Sequence, residues 1–224
     1  MKQKHQIEKD FIAKKNSYYK NNYGEKTKQN YLRRLRNSII NKEVADVKNV
    51  ENVLDVGCGP AILYPELLKR SQNYFALDLV QSNLDKIKSQ NSSKKINYLH
   101  TDLDSFNPEN NKYNLIICSG SLEYTNNPKL VIDKLIRSTA VGGTVIISLP
   151  NKNSPYRIWN QFVYKKIKWL ANAMTGRDSI EYKRNLLTVK SILKLFSSEN
   201  GANISVKYFG VKLFLQPLDI IFKN

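Results

Sequence analysis

The sequence predicts an α/β fold with a doubly wound, mostly parallel sheet, and two observations support this prediction. First, the middle third of the chain alternates short apolar or β-branched runs with segments of helical length, which is typical of βαβ units. Second, the first of these runs ends in two glycines one residue apart, Gly57 and Gly59, as at a strand-to-helix turn that approaches a ligand closely. The predicted strands are residues 53–56, 74–77, 96–99, 115–118 and 144–149.

Local signals place helices between these strands. A helix is predicted over residues 62–70, directly after the glycine turn, so that its free N–H groups face the same ligand. Another is predicted before the fifth strand, with Asn127 as its N-cap and Pro128 in its first turn. The pair Gly142-Gly143 is expected to end this helix.

Further segments flank this core on both sides. Tyr31, Leu32, Leu35 and Ile39 form one stripe of a basic helix, and a second helix is expected around residues 7–19. We predict N-terminal helices that precede the sheet.

After the fifth strand, apolar residues at helical spacing predict a helical insertion. A helix capped by Thr188 and a strand over residues 204–209 follow it. Residues 211–222 fit either a final strand or a short surface helix. The predicted units are a helical cap (1–48), a core (49–151), the insertion (152–187) and the C-terminal part of the same core (188–224).

The net charge of +17 lies at the two ends of the chain. Residues 1–48 hold 13 Lys and Arg against 5 Asp and Glu, residues 49–150 hold 10 against 10, and residues 151–224 hold 13 against 4. Such basic flanks indicate either a solvated, lysine-rich surface or a face that meets an anionic partner. These two interpretations carry equal weight.

Targeting and metal signals are weak in this sequence. The N-terminus is polar, and no run of about 18 apolar residues occurs, so we expect a cytoplasmic chain with no transmembrane segment. The cysteines, Cys58 and Cys118, lack the spacing of metal ligands and suit reduced, semi-buried thiols. We therefore expect no metal site.

The glycine turn also points to a ligand class. Its run from Asp55 to Ala61 reads D-V-G-C-G-P-A, whereas a dinucleotide-binding turn would require glycine at Ile62. The run resembles the D-x-G-x-G-x-G signature of class I S-adenosylmethionine (SAM)-dependent methyltransferases, with Ala61 in place of the last glycine.

Two later segments strengthen this resemblance. Residues 114–124 and 142–151 look like the L-E-H and P-G-G…S-x-P-N segments of small-molecule methyltransferases. Tyr124 replaces the usual histidine, and Ala140-Val141 precede the two glycines. The resemblance covers roughly residues 50–151 and implies a Rossmann-like core with SAM as cofactor.

The strand ends indicate where a nucleoside would bind. Asp78 could accept hydrogen bonds from ribose hydroxyls, and Asp102 could accept one from an adenine amino group. Either acid alone is more often a helix cap or a loop residue, but the two at successive strand ends favour a ligand site. The resemblance implies the following cofactor-binding residues: Asp55, Gly57, Cys58, Gly59, Asp78, Leu79, Asp102, Leu103 and Ser119.

The acceptor side is less defined, and no catalytic base can be named. His100 lies on the adenine side, so packing or solvent contact is a better explanation for it than catalysis. Ordinary aromatic packing is at least as good an explanation for the tyrosines as substrate contact. The candidates for substrate contact are Tyr18, Tyr19, Tyr23, Tyr124, Asn151, Tyr156 and Arg157.

The resemblance implies a methyltransferase acting on an oxygen or nitrogen of a small acceptor, and the basic flanks favour an anionic one that is phosphorylated, sugar-linked or lipid-linked. The insertion would then form a lid over the acceptor. An RNA methyltransferase is a less favoured alternative, because no RNA-binding module is recognisable. A non-catalytic SAM-binding protein, or one that contacts a membrane surface peripherally, is the third alternative.

Overall fold

The computed structural model describes residues 28–60, 64–152, 159, 162, 185, 187–196, 205–209 and 219–223. Within this part of the chain the strands form one seven-stranded sheet of order β3-β2-β1-β4-β5-β7-β6. The strands are β1 (Asn52–Val56), β2 (Asn73–Asp78), β3 (Ile96–His100), β4 (Tyr113–Ser119), β5 (Thr139–Pro150), β6 (Ser205–Phe209) and β7 (Asp219–Lys223). The helices are α1 (Lys28–Ala45), α2 (Pro65–Arg70), α3 (Gln81–Gln90), α4 (Pro128–Ser138) and α5 (Val189–Phe196).

The first five strands form the predicted parallel sheet. β1 lies in the middle and pairs in parallel with β2 and β4, while β3 and β5 continue the sheet outward on either side. β7 is antiparallel to both β5 and β6. The carboxyl ends of β1 to β4 therefore meet at one edge, which confirms the predicted fold class.

Alternate side chains of the central strand pack into two hydrophobic cores, one on each face of the sheet, because helices cover both faces. Val53 belongs to a cluster with Ile40 of α1 and Leu84 of α3. Its neighbour Leu54 belongs to a second cluster with Leu135 of α4. Helices α1, α2 and α3 thus cover one face of the sheet, and α4 and α5 cover the other.

The start of α4 was predicted correctly, and its end was not. Asn127 caps the helix through its Oδ1, which accepts the Leu130 N–H at 3.2 Å. The helix ends at Ser138, before the glycines, because Ser138 and Thr139 both donate their hydroxyls to the Leu135 carbonyl. The glycine pair lies within β5 instead, at a register shift opposite Tyr113 and Leu115.

Helix α2 also starts later than predicted, since the sequence analysis placed its first residue at position 62. The helix begins at Pro65, and the Leu67 N–H donates to the Tyr64 carbonyl. Proline suits the first position of a helix and disfavours the helical conformation of the residue before it, which delays the start. The predicted cap of α5 is confirmed, because the Ser191 N–H donates to Thr188 Oγ1 at 3.1 Å.

The flanking segments are described in part. The basic helix α1 is confirmed, and Leu35 and Ile39 pack against the core. Strand β7 shows that the end of the chain contains a strand; residues 210–218 and the expected helix around residues 7–19 lie outside the described residues. Most of the insertion also lies outside the described residues. The division into four units and the cytoplasmic location stay predictions. No helix in the described part of the chain is long and apolar enough to cross a membrane.

Candidate functional site

The glycine turn after β1 lies between the ends of β2 and β4. Gly57 and Gly59 have φ angles of 68° and 69°, which favour glycine. The N–H groups of Gly57 and Cys58 donate to the Leu77 carbonyl at 2.8 and 3.1 Å. A Cβ at position 57 would lie 2.6 Å from the Ser121 Cβ, so this position has no room for a side chain.

Asp78 at the end of β2 holds the other side of this turn. Its Oδ2 accepts the Gly59 N–H at 2.8 Å, and its Oδ1 accepts from the Val80 N–H at 2.8 Å and from the Asn83 amide at 3.2 Å. Burial raises the pKa of this carboxyl group, and these hydrogen bonds counter the rise. A carboxylate offers about four acceptor sites, so a ribose that donates two hydrogen bonds would have to displace the Gly59 N–H.

Asp55 lies two residues before the turn and is also buried, with 2% of its surface exposed. The Tyr74 hydroxyl on β2 donates to its Oδ2 at 2.6 Å. Burial raises the pKa of Asp55 to about 7; the Tyr74 hydrogen bond opposes this rise, and the charge of Asp78 adds to it. Asp55 therefore exists in both protonation states near neutral pH.

The two cysteines of this region are buried thiols. Burial raises the pKa of Cys58 far above its ordinary value, and it raises the pKa of Cys118 to about 11. Because the thiolate is the reactive form, neither side chain is suited to nucleophilic chemistry at neutral pH. Cys58 thus contributes packing and its backbone N–H to the turn.

The end of β4 presents polar groups to the same edge of the sheet. The Ser119 Oγ is buried and has no hydrogen-bond partner among the described residues. Ser121 donates its hydroxyl to the Val56 carbonyl at 3.0 Å, which joins this loop to β1. Gly120 lies between them with a φ of 80°.

Arg36 of α1 reaches this loop and was not found by the sequence analysis. A Cβ built on Gly120 would lie 2.6 Å from its Nη1, so the guanidinium lies directly over the backbone at the end of β4. Its Nε is buried without a hydrogen-bond partner in the described part of the chain. The signal was a basic residue between Leu35 and Ile39 on the core-facing side of an amphipathic helix.

The predicted adenine side has well-defined local contacts. Asp102 accepts hydrogen bonds from the N–H and the hydroxyl of Ser105, both at 2.9 Å, so its carboxylate caps the following turn. Leu103 is buried next to it. The His100 Nε2 lies 3.0 Å from the Leu79 carbonyl, a hydrogen bond that joins the ends of β2 and β3.

The two ends of the insertion meet near the end of β4. Asn151 forms a parallel bridge with Leu187, and the Asn185 N–H donates to the Glu123 carbonyl at 2.7 Å. Asn185 also donates its side-chain amide to the Thr125 carbonyl. Of the predicted substrate-side residues, Tyr124 and Asn151 lie here, and the structure does not describe Tyr18, Tyr19, Tyr23, Tyr156 or Arg157.

The edge of the sheet thus combines a turn with two glycines of positive φ, a buried carboxylate and a cation. Residues 25–204 match a protein family described as "Methyltransferase domain". The chain belongs to this family. This match agrees with the methyltransferase family that the resemblance named, and the Rossmann-like fold is confirmed.

Curated relatives carry related names. The chain is 34% identical over 103 residues to a ubiquinone biosynthesis O-methyltransferase of Rickettsia typhi. This match covers 45% of this chain and 41% of the relative. It is also 23% identical over 160 residues to a malonyl-[acyl-carrier protein] O-methyltransferase of Ilyobacter polytropus. This second match covers 70% of this chain and 57% of the relative. The chain therefore spans about half the length of the curated relatives that it matches.

Solved structures show the same fold. Magnesium protoporphyrin IX methyltransferase from Synechocystis, with bound S-adenosylhomocysteine (SAH), matches with a TM-score of 0.69 at 16% identity over 98% of both chains. The N-methyltransferase NodS from Bradyrhizobium japonicum, also with SAH, matches with a TM-score of 0.65 at 13% identity over 99% of this chain and 98% of NodS. At such low identity these similarities concern the fold alone.

The residues at this edge fit SAM chemically. Asp78 would accept from the ribose, and the buried Ser119 Oγ and Arg36 Nε lack partners among the described residues. SAM carries vicinal hydroxyls, a carboxylate and an ammonium group, which are suitable partners for these acceptors and donors.

Proposed function

We propose that this protein transfers the methyl group of SAM to an oxygen or nitrogen of a small, anionic acceptor. The observation that supports this most is the pairing of the Gly57 turn with Asp78 across the ends of β1 and β2. This pairing places a carboxylate beside the two glycines of the turn, whose own backbone carries no side chain. The proposed cofactor site comprises Asp55, Gly57, Cys58, Gly59, Asp78, Leu79, Asp102, Leu103 and Ser119, together with Arg36.

The charges at the two sides of the site support one direction for the cofactor. Asp78 holds the ribose, since it is the buried acceptor at the end of β2. Arg36 binds the carboxylate of the methionine part, because a planar guanidinium pairs well with a carboxylate and lies over Gly120. The adenine then lies towards Leu79 and Leu103.

SAM supplies an activated methyl group on a positively charged sulfur. The protein therefore contributes mainly by holding donor and acceptor in line, and a base is needed only for an acceptor that must lose a proton first. We place the acceptor beside Tyr124 and Asn151, where the two ends of the insertion meet the end of β4.

Two observations support the class of acceptor. The curated relatives are named as O-methyltransferases, which favours an oxygen acceptor. The basic flanks of this chain favour a negatively charged one. A phosphorylated, sugar-linked or lipid-linked acceptor combines both features.

The first experiment is a screen with radiolabelled SAM over phosphorylated sugars, lipid-linked phenols, carboxylic acids on acyl carriers, and tRNA. We expect transfer to a small anionic acceptor, and much weaker transfer at the same SAM concentration with Asp78→Ala. Labelling of tRNA nucleosides alone would contradict the small-acceptor proposal and favour RNA modification. SAM binding without any transfer would favour a non-catalytic role.

Salt dependence separates the two acceptor classes further. Each phosphate contact contributes about −0.7 to −0.9 to the slope of log affinity against log salt. A small acceptor with one or two such contacts gives a shallow slope, and tRNA gives a steep one. The matched variant replaces five basic residues of the insertion by Gln, and we expect it to leave the shallow slope nearly unchanged. These residues are Lys165, Lys168, Arg177, Lys183 and Arg184.

A further inference from the structure

The hydrogen bond between Tyr74 and Asp55 lies directly behind the glycine turn. Both side chains are buried, and the oxygen-to-oxygen distance is 2.6 Å. Asp55 stands two residues before Gly57 on the central strand, and Tyr74 stands on the neighbouring strand β2. The pair is therefore a polar contact within the core, and it lies next to the turn where we propose that the methionine part of the cofactor binds.

The groups around Asp55 do not neutralise it. The titratable neighbours on β2 are Tyr74 and Asp78; Cys118 lies on β4, and Cys58 lies in the turn. Tyr64, which precedes α2, interacts with Tyr74. Helix α1 packs the apolar residues Ile40 and Val44 into the same core cluster, and its Arg36 lies over Gly120 at the end of β4. No hydrogen bond joins a cation to Asp55 among the described residues, so the Tyr74 hydrogen bond is the contact that favours its ionised form.

A cation introduced at the turn would change this balance. In a medium of low dielectric constant, an opposite charge favours the ionised form of a buried carboxyl group over several ångströms. SAM carries a positive charge on its sulfur, whereas SAH, which has lost the methyl group, does not. The two ligands are otherwise the same in charge, so Asp55 experiences a different field from each.

We propose that Asp55, held by Tyr74, is a specificity-determining residue that favours the charged cofactor over its demethylated product by releasing a proton. Binding of SAM favours the carboxylate, and the proton of the acid form passes to solvent. Binding of SAH favours the carboxylate less and releases a smaller fraction of a proton. This inference rests on the proposed placement of the cofactor.

The test is titration calorimetry of the whole chain with SAM and with SAH, from pH 5.5 to 8.5, in buffers of different ionisation enthalpy. Comparing the buffers gives the number of protons released on binding. Because Asp55 has a pKa of about 7, the ratio of the dissociation constant of SAH to that of SAM should rise with pH up to about 7 and level off above it. The expected total change is about threefold to tenfold.

Two variants assign the effect to the pair. Asp55→Asn keeps a hydrogen-bond acceptor for Tyr74 but cannot ionise, so the pH dependence of the ratio should disappear. Tyr74→Phe removes the hydrogen bond that lowers the pKa of Asp55, so the rise should move to higher pH. A merely structural role of Tyr74 would weaken both ligands equally at every pH. Asp85→Asn, on the exposed side of α3, is the control and should behave as wild type.

The outcomes separate this inference from the proposed function. Binding of both ligands with a ratio that is independent of pH, or with a dependence that persists in Asp55→Asn, would overturn the proton linkage and leave the cofactor site intact. If neither SAM nor SAH binds the folded wild type, the proposed cofactor site itself is wrong, and the linkage falls with it.

Discussion

The two ends of the central strands contain different kinds of polar cluster. At the amino ends, the Asn52 N–H donates to Asn114 Oδ1 at 2.9 Å, and the Asn73 amide donates to Asn52 Oδ1 at 2.8 Å. These side chains are neutral and bond one another or the neighbouring backbone. At the carboxyl ends, Asp55 and Asp78 are buried carboxyl groups whose pKa values are raised by burial.

Positive φ angles occur at both ends of the sheet, with Asn111 and Gly142 near the amino ends of β4 and β5. Gly57, Gly59 and Gly120 have positive φ angles, and they surround the carboxylates at the carboxyl ends. Backbone conformations and buried charges of this kind cost stability and are retained where they serve a ligand. We infer that the amide cluster at the amino ends stabilises the sheet. At the carboxyl ends, the buried carboxyl groups and the glycine turn lower stability and serve to bind the cofactor.

The largest expected difference is between two glycines with positive φ. Gly57→Ala should cost about 1–2 kcal/mol for its left-handed backbone and about 1–3 kcal/mol more for the contact with Ser121. It should also abolish measurable SAH binding, because the turn must move. Chemical denaturation and calorimetry measure the two effects.

Gly142→Ala is the matched control at the amino end of the sheet. Its φ is 72°, but a Cβ there would have no neighbour within 4 Å. We expect only the backbone cost and unchanged SAH affinity. Equal losses of stability and binding in the two variants would show that the glycine turn has no special role.

The next effect concerns stability against pH. The pKa of Asp55 is about 7 in the folded protein and 3.8 in the ordinary state, so the folded protein holds this proton more tightly. Its contribution to stability is therefore complete below about pH 4 and is lost as the pH rises to about 7. Asp55→Asn should be more stable than wild type above pH 7, by at most about 4 kcal/mol on the basis of this shift.

Denaturant unfolding of both proteins from pH 4 to 8.5 checks this prediction through the difference between them, which cancels the remaining titrating groups. Asp46→Asn is the exposed control and should differ from wild type by the same small amount at every pH. A difference between Asp55→Asn and wild type that does not change with pH would mean that Asp55 is ionised throughout.

The smallest expected effect is a difference in SAH affinity between variants at the two ends of β2. Asp78→Ala should weaken SAH by about 1.5–3 kcal/mol, because a charged acceptor of ribose hydroxyls is lost. Asn73→Ala removes a neutral hydrogen bond at the opposite end of β2 and should cost about 1 kcal/mol of stability with no change in SAH affinity. Comparable losses of affinity in both variants would place the ribose elsewhere.

Most of the fold could be predicted because the signals were local. The alternation of short apolar runs with segments of helical length predicted the five parallel strands, and Asn127 and Thr188 cap their helices through bonds to residues three positions on. The wrong stop of α4 has a local cause as well. Gly142 and Gly143 are helix-ending residues by type, but the hydroxyls of Ser138 and Thr139 close the helix first.

The site was only partly predictable because some of its contacts are distant in sequence. Asp78 follows the glycine turn at the expected spacing, and its bond to the Gly59 N–H agrees with that pattern. Arg36 could not be assigned from sequence, since only the packing of α1 brings it over Gly120. The Tyr74 hydrogen bond to Asp55 likewise depends on the register of β1 and β2.

The measurement that tests the central claim most directly is a crystal structure of this chain with SAH. We predict that both ribose hydroxyls donate to Asp78, that the Gly57 turn follows the thioether, and that the carboxylate of the ligand pairs with Arg36. An adenosine bound away from the carboxyl ends of β1 and β2, with Asp78 making only its contacts to Gly59, Val80 and Asn83, would contradict the account.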